Sequence, residues 1–167
     1  MTLDTLDLEA RAHSEHAQEL RLWLRLLTCS QLIEKRVRAS LREQFDTTLP
    51  RFDLMAQLER HPEGLKMKEL SHRLMVTGGN VTGITDQLVA EGLVERMAVE
   101  GDRRAFLVRL TPAGRSSFER MAAQHEQWIV EAFDGLSAKD LDSLHKLLGK
   151  VKQHQLDINQ RMGDVGE

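Results

Sequence analysis

The 167-residue sequence predicts a mostly α fold in which short helices and a two-stranded β-hairpin are bracketed by long amphipathic helices. Apolar residues recur at helical spacing over stretches free of glycine and proline, above all residues 17–45. Two β-rich runs, LVERMAV and FLVRL, flank the polar link EGDRR, which reads as a hairpin. Only three prolines and 4% aromatic residues accompany the Leu, Ala, Glu, Arg and Gln content, a balance that favours helix.

Residues 1–16 are acidic and read as a weakly ordered lead-in. The first helix then carries Leu20, Leu24, Leu27, Gln31, Ile33, Val37 and Leu41 on one side and runs to Phe45. A second helix opens at Thr48-Pro50, shows an apolar face of Phe52, Met55 and Leu58, and stops near His61-Pro62 and Gly64. A third, short helix fits LKMKELSHRLM. The turn VTGG follows, with Thr77 as a candidate N-cap. A fourth helix spans Asn80 to Ala90, with Val81, Ile84, Leu88 and Val89 inward and Gly92 as its stop. After the hairpin, Thr111-Pro112 opens a long helix to Phe133. Gly135 breaks it, and Ser137 with Asp140 forms a capping box for the last helix. The chain thus divides into a lead-in (1–16), a first arm (17–45), a central lobe (46–110), C-terminal arms (111–160) and a tail (161–167).

Helix, helix, turn, helix and hairpin make a winged helix-turn-helix, flanked by long helices with apolar faces that a single chain does not cover. In such an arrangement the second helix of the pair enters the major groove of DNA and the hairpin tip reaches the backbone or minor groove. Thr77, Gly79, Asn80, Thr82 and Gln87 are the candidates for the groove. Asn and Gln amides bond adenine in bidentate fashion, and a Thr methyl meets the thymine methyl. Arg103 and Arg104, with Asp102 placed to orient one of them, mark the hairpin tip. Arg73 and Lys68 on the preceding helix are candidate phosphate contacts.

Charge alone does not decide for DNA. The chain carries 23 Lys+Arg against 26 Asp+Glu, a net charge of −3, which excludes sequence-blind coating of nucleic acid but not a local basic face. The competing reading is a winged-helix protein-interaction adaptor without sequence-specific DNA binding. The two part on the arginine pair, which an adaptor does not need.

The stretch ELSHRLMVTGGNVTGITDQLVAEGLVERMAVEGDRRAFLVRLTPAGR resembles the core of the MarR (multiple antibiotic resistance regulator) family, with its DRR wing and closing LTPAG. The resemblance covers about Leu49 to Arg115, and the long flanking helices match the family's dimerisation arms in position. It implies a homodimer that binds a pseudo-palindromic double-stranded DNA operator, as a repressor by family habit, and is released by a small ligand. Two features depart from the pattern. Gly83 stands where many members have a basic residue, and Gly78 and Gly79 replace bulkier ones.

TTLPRFDLMAQLER with TGGNVTG is similar to a subgroup that controls aromatic-acid and hydroxycinnamate breakdown, which implies an aromatic acid or its acyl-coenzyme A thioester as effector. Trp23, Leu27, Phe45, Phe52 and Met55 are candidates for an apolar ring pocket, and Lys35, Arg36, Arg38 and Arg42 for its anionic groups. The plain alternative makes the aromatic residues core or dimer contacts and the basic run a solvated face beside Glu34 and Glu43.

No Gly-rich phosphate loop, nucleophile elbow or paired carboxylates mark an enzyme. The seven histidines are scattered, so neither a metal nor a cofactor is expected. The lone Cys29 reads as a buried, inert thiol. No run is apolar enough for a membrane span and no secretory leader is evident, so a cytoplasmic protein is expected.

Overall fold

A computed structural model describes residues 17–74, 78–99 and 102–163, without the side chains of 17, 78, 79, 99, 102–105, 162 and 163. The chain falls into two compact units that meet at Gln127 and Trp128.

The first unit begins with α1 (Ala17–Phe45), uninterrupted as its composition requires. Only its C-terminal part is anchored: Val37 and Leu41 are buried, whereas Leu20, Leu22, Trp23, Leu26 and Leu32 lie exposed. Cys29 is also exposed, against expectation, because it sits on this unburied stretch of α1. Asp46 reverses the chain with φ 48°, and Pro50 lies in the first turn of α2 (Leu49–Glu59). Phe52, Leu54, Met55 and Leu58 of α2 are buried, a wider face than the sequence pattern showed.

After Gly64 comes a two-residue strand, β1 (Leu65–Lys66), then α3 (Met67–Leu74) and α4 (Gly78–Ala90). Gly92, with φ 72°, ends α4: the Leu93 N–H bonds the Leu88 carbonyl and the Gly92 N–H bonds that of Val89, the paired pattern that favours glycine in the left-handed region. Strands β2 (Val94–Val99) and β3 (Asp102–Leu110) follow. The sheet is three-stranded and antiparallel in the order β1-β3-β2, not the bare hairpin the sequence predicts. β1 pairs Leu65 with Val108 and Lys66 with Leu107. Two residues are too few to show an alternating pattern, which is why the strand escaped notice.

Helix α5 (Pro112–Ala132) is fastened by a single threonine. The Thr111 hydroxyl donates to the Gly92 carbonyl at 2.7 Å and accepts from the Gly114 N–H at 3.0 Å, while the Thr111 N–H reaches the Leu93 carbonyl. A Cβ on Gly114 would lie 1.8 Å from the Leu93 oxygen, so the backbones meet only because that side chain is absent. Phe118 of α5 stacks against Phe52 at 5.4 Å between centroids, and the His125 ring centroid lies 4.9 Å from that of Phe52.

The second unit holds the end of α5, a turn, and α6 (Ala138–Gly163). The anticipated capping box is present: the Ser137 hydroxyl accepts from the Asp140 N–H at 3.2 Å, and the Asp140 carboxylate accepts from the Ser137 N–H at 3.2 Å. Val130, Leu136, Leu141, Leu147, Leu148, Val151 and Leu156 are all exposed in this unit.

Candidate nucleic-acid interface

Helix α4 is bolted to the lobe by one face. Val81, Thr85 and Leu88 are fully buried, and the Thr85 hydroxyl, which would be costly to bury unpaired, donates to the Val81 carbonyl at 2.8 Å. The opposite side presents Asn80, Thr82, Gly83, Asp86 and Gln87 to solvent. Three of the residues expected to touch bases therefore stand on an exposed surface whose orientation the core dictates. No cation lies within α4 itself, and Asp86 is taken up by an ion pair with Arg96 on β2.

Positive charge comes from neighbouring elements. Lys68 and Arg73 are exposed on α3. The β2–β3 hairpin projects the DRR sequence at the start of β3, where a bulge between Ala98 and Val99 shifts the register so that Val99 faces Asp102. Thr77 lies outside the described residues, as do the side chains of Gly79, Asp102, Arg103 and Arg104. Near the base of the hairpin, Glu95 and Arg109 oppose each other across the strands at 2.6 Å.

The nine residues expected to hold a ligand are not gathered in one pocket. Arg38 and Arg42 line a cleft of about 460 Å³ whose walls are α1, the start of α2 and α4. Phe45 and Met55 line another, of about 580 Å³, bounded by the α1–α2 turn, α5 and the turn after α4. Phe52 is in the core, Trp23 is 55% exposed, Leu27 is half-buried, and Lys35 and Arg36 are exposed. Sequence reasoning missed the part played by Thr47 and Ile84 in the first cleft, since neither residue type signals a ligand. It also missed Arg51, which an ion pair ties to Glu91 while its Nε is buried without a described hydrogen-bond partner.

Asp53 stands out electrostatically. Burial pushes its carboxyl above the usual carboxylate range, against the opposing pull of His125 and Arg38 and with a smaller push from Glu34. Arg38 itself pairs with Glu34 one turn away. Among the described residues no group of His, Cys, Asp and Glu could hold a metal ion, and no helix is long and apolar enough to cross a membrane.

The comparisons with known proteins agree with this geometry. The MarR family model matches residues 47–106. The regulator PecS of Dickeya dadantii is 30% identical over 105 residues, covering 62% of this chain and 63% of its own length, so the match spans less than two thirds of that relative. A solved MarR family transcriptional regulator from Silicibacter pomeroyi is 31% identical, with 86% of this chain and 99% of that one covered and a TM-score of 0.71. A mutant MarR from E. coli, complexed with operator DNA, is 25% identical with a TM-score of 0.70, over 83% of this chain and 99% of that one. These relatives are transcriptional regulators rather than enzymes. With its lobe, its exposed α4 and its hairpin, the chain belongs to the MarR family of DNA-binding transcriptional regulators.

Proposed function

We propose that the protein is a cytoplasmic, ligand-responsive repressor that binds a pseudo-palindromic operator as a homodimer and leaves it when a small aromatic acid or its acyl-coenzyme A thioester binds. The observation that carries the DNA reading is α4: a 13-residue helix seated by Val81, Thr85 and Leu88 with Asn80, Thr82 and Gln87 exposed. In this reading Thr77, Gly79, Asn80, Thr82 and Gln87 meet the major groove. Lys68 and Arg73 meet phosphates, and Arg103 and Arg104 reach the minor groove or backbone, with Asp102 placed to orient one of them. The apolar side chains left exposed on α1 and α6 support a second copy as partner, since that much leucine facing water is costly.

The effector reading is supported by the arginine-lined cleft beside α4 and rests otherwise on the resemblance to regulators of aromatic-acid breakdown. Control of such a pathway would make the effector the substrate that the regulated genes remove.

The test is titration of a labelled fragment of the protein's own promoter region at several salt concentrations. Affinity should fall steeply with salt, because each neutralised phosphate releases counterions. Replacing Arg103 and Arg104 together by Ala should flatten that slope by about two contacts per subunit and leave the oligomeric state unchanged. Binding that ignores both salt and the arginine pair would refute the regulator reading.

A further inference from the structure

Gly83 stands at the centre of the exposed side of α4. At 3.6 residues per turn it lies roughly 140–160° round the axis from each of the buried Val81, Thr85 and Leu88, so it is the part of the helix farthest from the lobe. Asn80 and Gln87 flank it one turn to either side, and all three are exposed. Nothing among the described residues explains a glycine there. Its φ is not left-handed, and a Cβ built on it meets no described atom within 4 Å. Gly114 differs, because the Leu93 backbone occupies the space its side chain would fill. Glycine is the poorest residue for a helix interior apart from proline, so Gly83 weakens α4 with no compensating contact inside the chain. Gly149 of α6 is equally open, and it too lies on a helix that leaves large apolar side chains for a partner. A side chain whose absence serves no internal contact leaves room for a close approach from outside.

We propose that Gly83 sets the depth at which α4 enters the major groove, its bare backbone resting against a thymine methyl between the bases that Asn80 and Gln87 read. The inference rests on the regulator reading above and adds a specificity-determining residue to it. The C5-methyl of thymine is the apolar feature of an A·T pair in the major groove. The Asn80 and Gln87 amides reach adenine only when the helix lies deep enough, and a Cβ between them would strike the methyl before they arrive. Asp86, the acid on this side of α4, is paired with Arg96, which offsets its repulsion of the phosphates at that depth. Shape rather than charge then selects the sequence under the middle of the helix.

Gly83→Ala should act on fold and function with opposite sign. Without DNA, the melting temperature should rise by about 2–4 °C, as for removing a glycine from an exposed helix interior in a chain of this size. Affinity for the footprinted site of the promoter region, measured by anisotropy with the full-length protein, should fall about tenfold or more, as for a lost bidentate base contact. Affinity for a scrambled duplex and the salt slope should stay unchanged, since the phosphate contacts are made by other elements. Replacing thymine by deoxyuridine, position by position in both half-sites, should restore binding of Gly83→Ala where the methyl meets it and weaken binding of the parent there. An alanine variant that binds the site as the parent does would overturn the proposal, because the groove then has room for a methyl. One that melts below the parent would overturn it too, because the glycine then serves the fold. Equal losses on specific and scrambled duplexes, or a deoxyuridine scan without rescue, would likewise refute it while the regulator reading stands. Failure of the parent to bind the promoter fragment would instead defeat the underlying reading.

Discussion

The lobe and the second unit spend their leucines in opposite ways. In the lobe, Leu54, Leu58, Leu70 and Leu88 are fully buried. In the second unit Leu147 is 59% exposed, and six further large apolar side chains share its situation. The N-terminal part of α1 resembles the second unit, not the lobe, with Trp23 and four leucines in water. One region completes its packing within a single chain. The other carries the same residue types at helical spacing and leaves them open, which is the pattern of an interface awaiting its partner.

The contrast is broken most severely at Gly114. Gly114→Ala drives a methyl into the Leu93 carbonyl and must push α5 away from the turn that ends α4. The expected cost is about 3 kcal/mol or more, at the upper end for overpacking. The melting temperature should drop at every protein concentration. A variant that melts like the parent would show that the α4–β2 turn has room to yield.

Leu58→Ala and Leu147→Ala sharpen the contrast directly. The first leaves a cavity in a sealed core and should cost about 2–5 kcal/mol, independent of concentration. The second removes a side chain that contributes little in an isolated chain, so its effect should appear only through association and fade on dilution. Sedimentation should show Leu147→Ala shifted towards the single chain while Leu58→Ala is not. Equal, concentration-independent losses would mean that α6 is packed within its own chain.

How much of this was legible without coordinates varies with how local the cause is. The end of α4 at Gly92 and the Ser137–Asp140 box are decided by a few adjacent residues, and both follow from the sequence. α4 begins at Gly78, two residues before the expected start, where the poor helix propensity of paired glycines hides the helix from a sequence pattern. The polar set on α4 was legible by residue type. That Asn80 and Gln87 share a wall with Arg38 and Arg42 was not, since it depends on how α1, α2 and α4 meet in space. Nor could periodicity separate Phe52, in the core, from Trp23, in water: both sit on apolar stripes of amphipathic helices.

Ser137→Ala is a smaller perturbation, about 1 kcal/mol as for other N-cap losses, confined to the start of α6. It should raise amide exchange in that first turn and leave the lobe unchanged. Protection lost in the lobe as well would show that the two units do not open separately.

The smallest effects come from two aspartates that answer acid in opposite senses. Hydrogen bonds from the Ser137 hydroxyl and backbone N–H hold the Asp140 carboxyl below its usual value of 3.8, whereas burial lifts that of Asp53 above the same value. A lowered carboxyl contributes stability above its unfolded value, and that contribution disappears as pH falls through the lowered one. A raised carboxyl does the reverse: the folded chain holds the proton more tightly, so stability declines as pH rises from 3.8 through the raised value. On acidification from neutral, relief at Asp53 therefore comes first, and the loss at Asp140 follows only below 3.8. Carboxyl carbon shifts should titrate with midpoints on opposite sides of that value. At neutral pH, Asp53→Asn should stabilise and Asp140→Asn destabilise, and both differences should shrink in acid. An Asp53 midpoint no higher than 3.8 would mean that His125 and Arg38 offset its burial in full, leaving that carboxyl an ordinary member of the α2 surface.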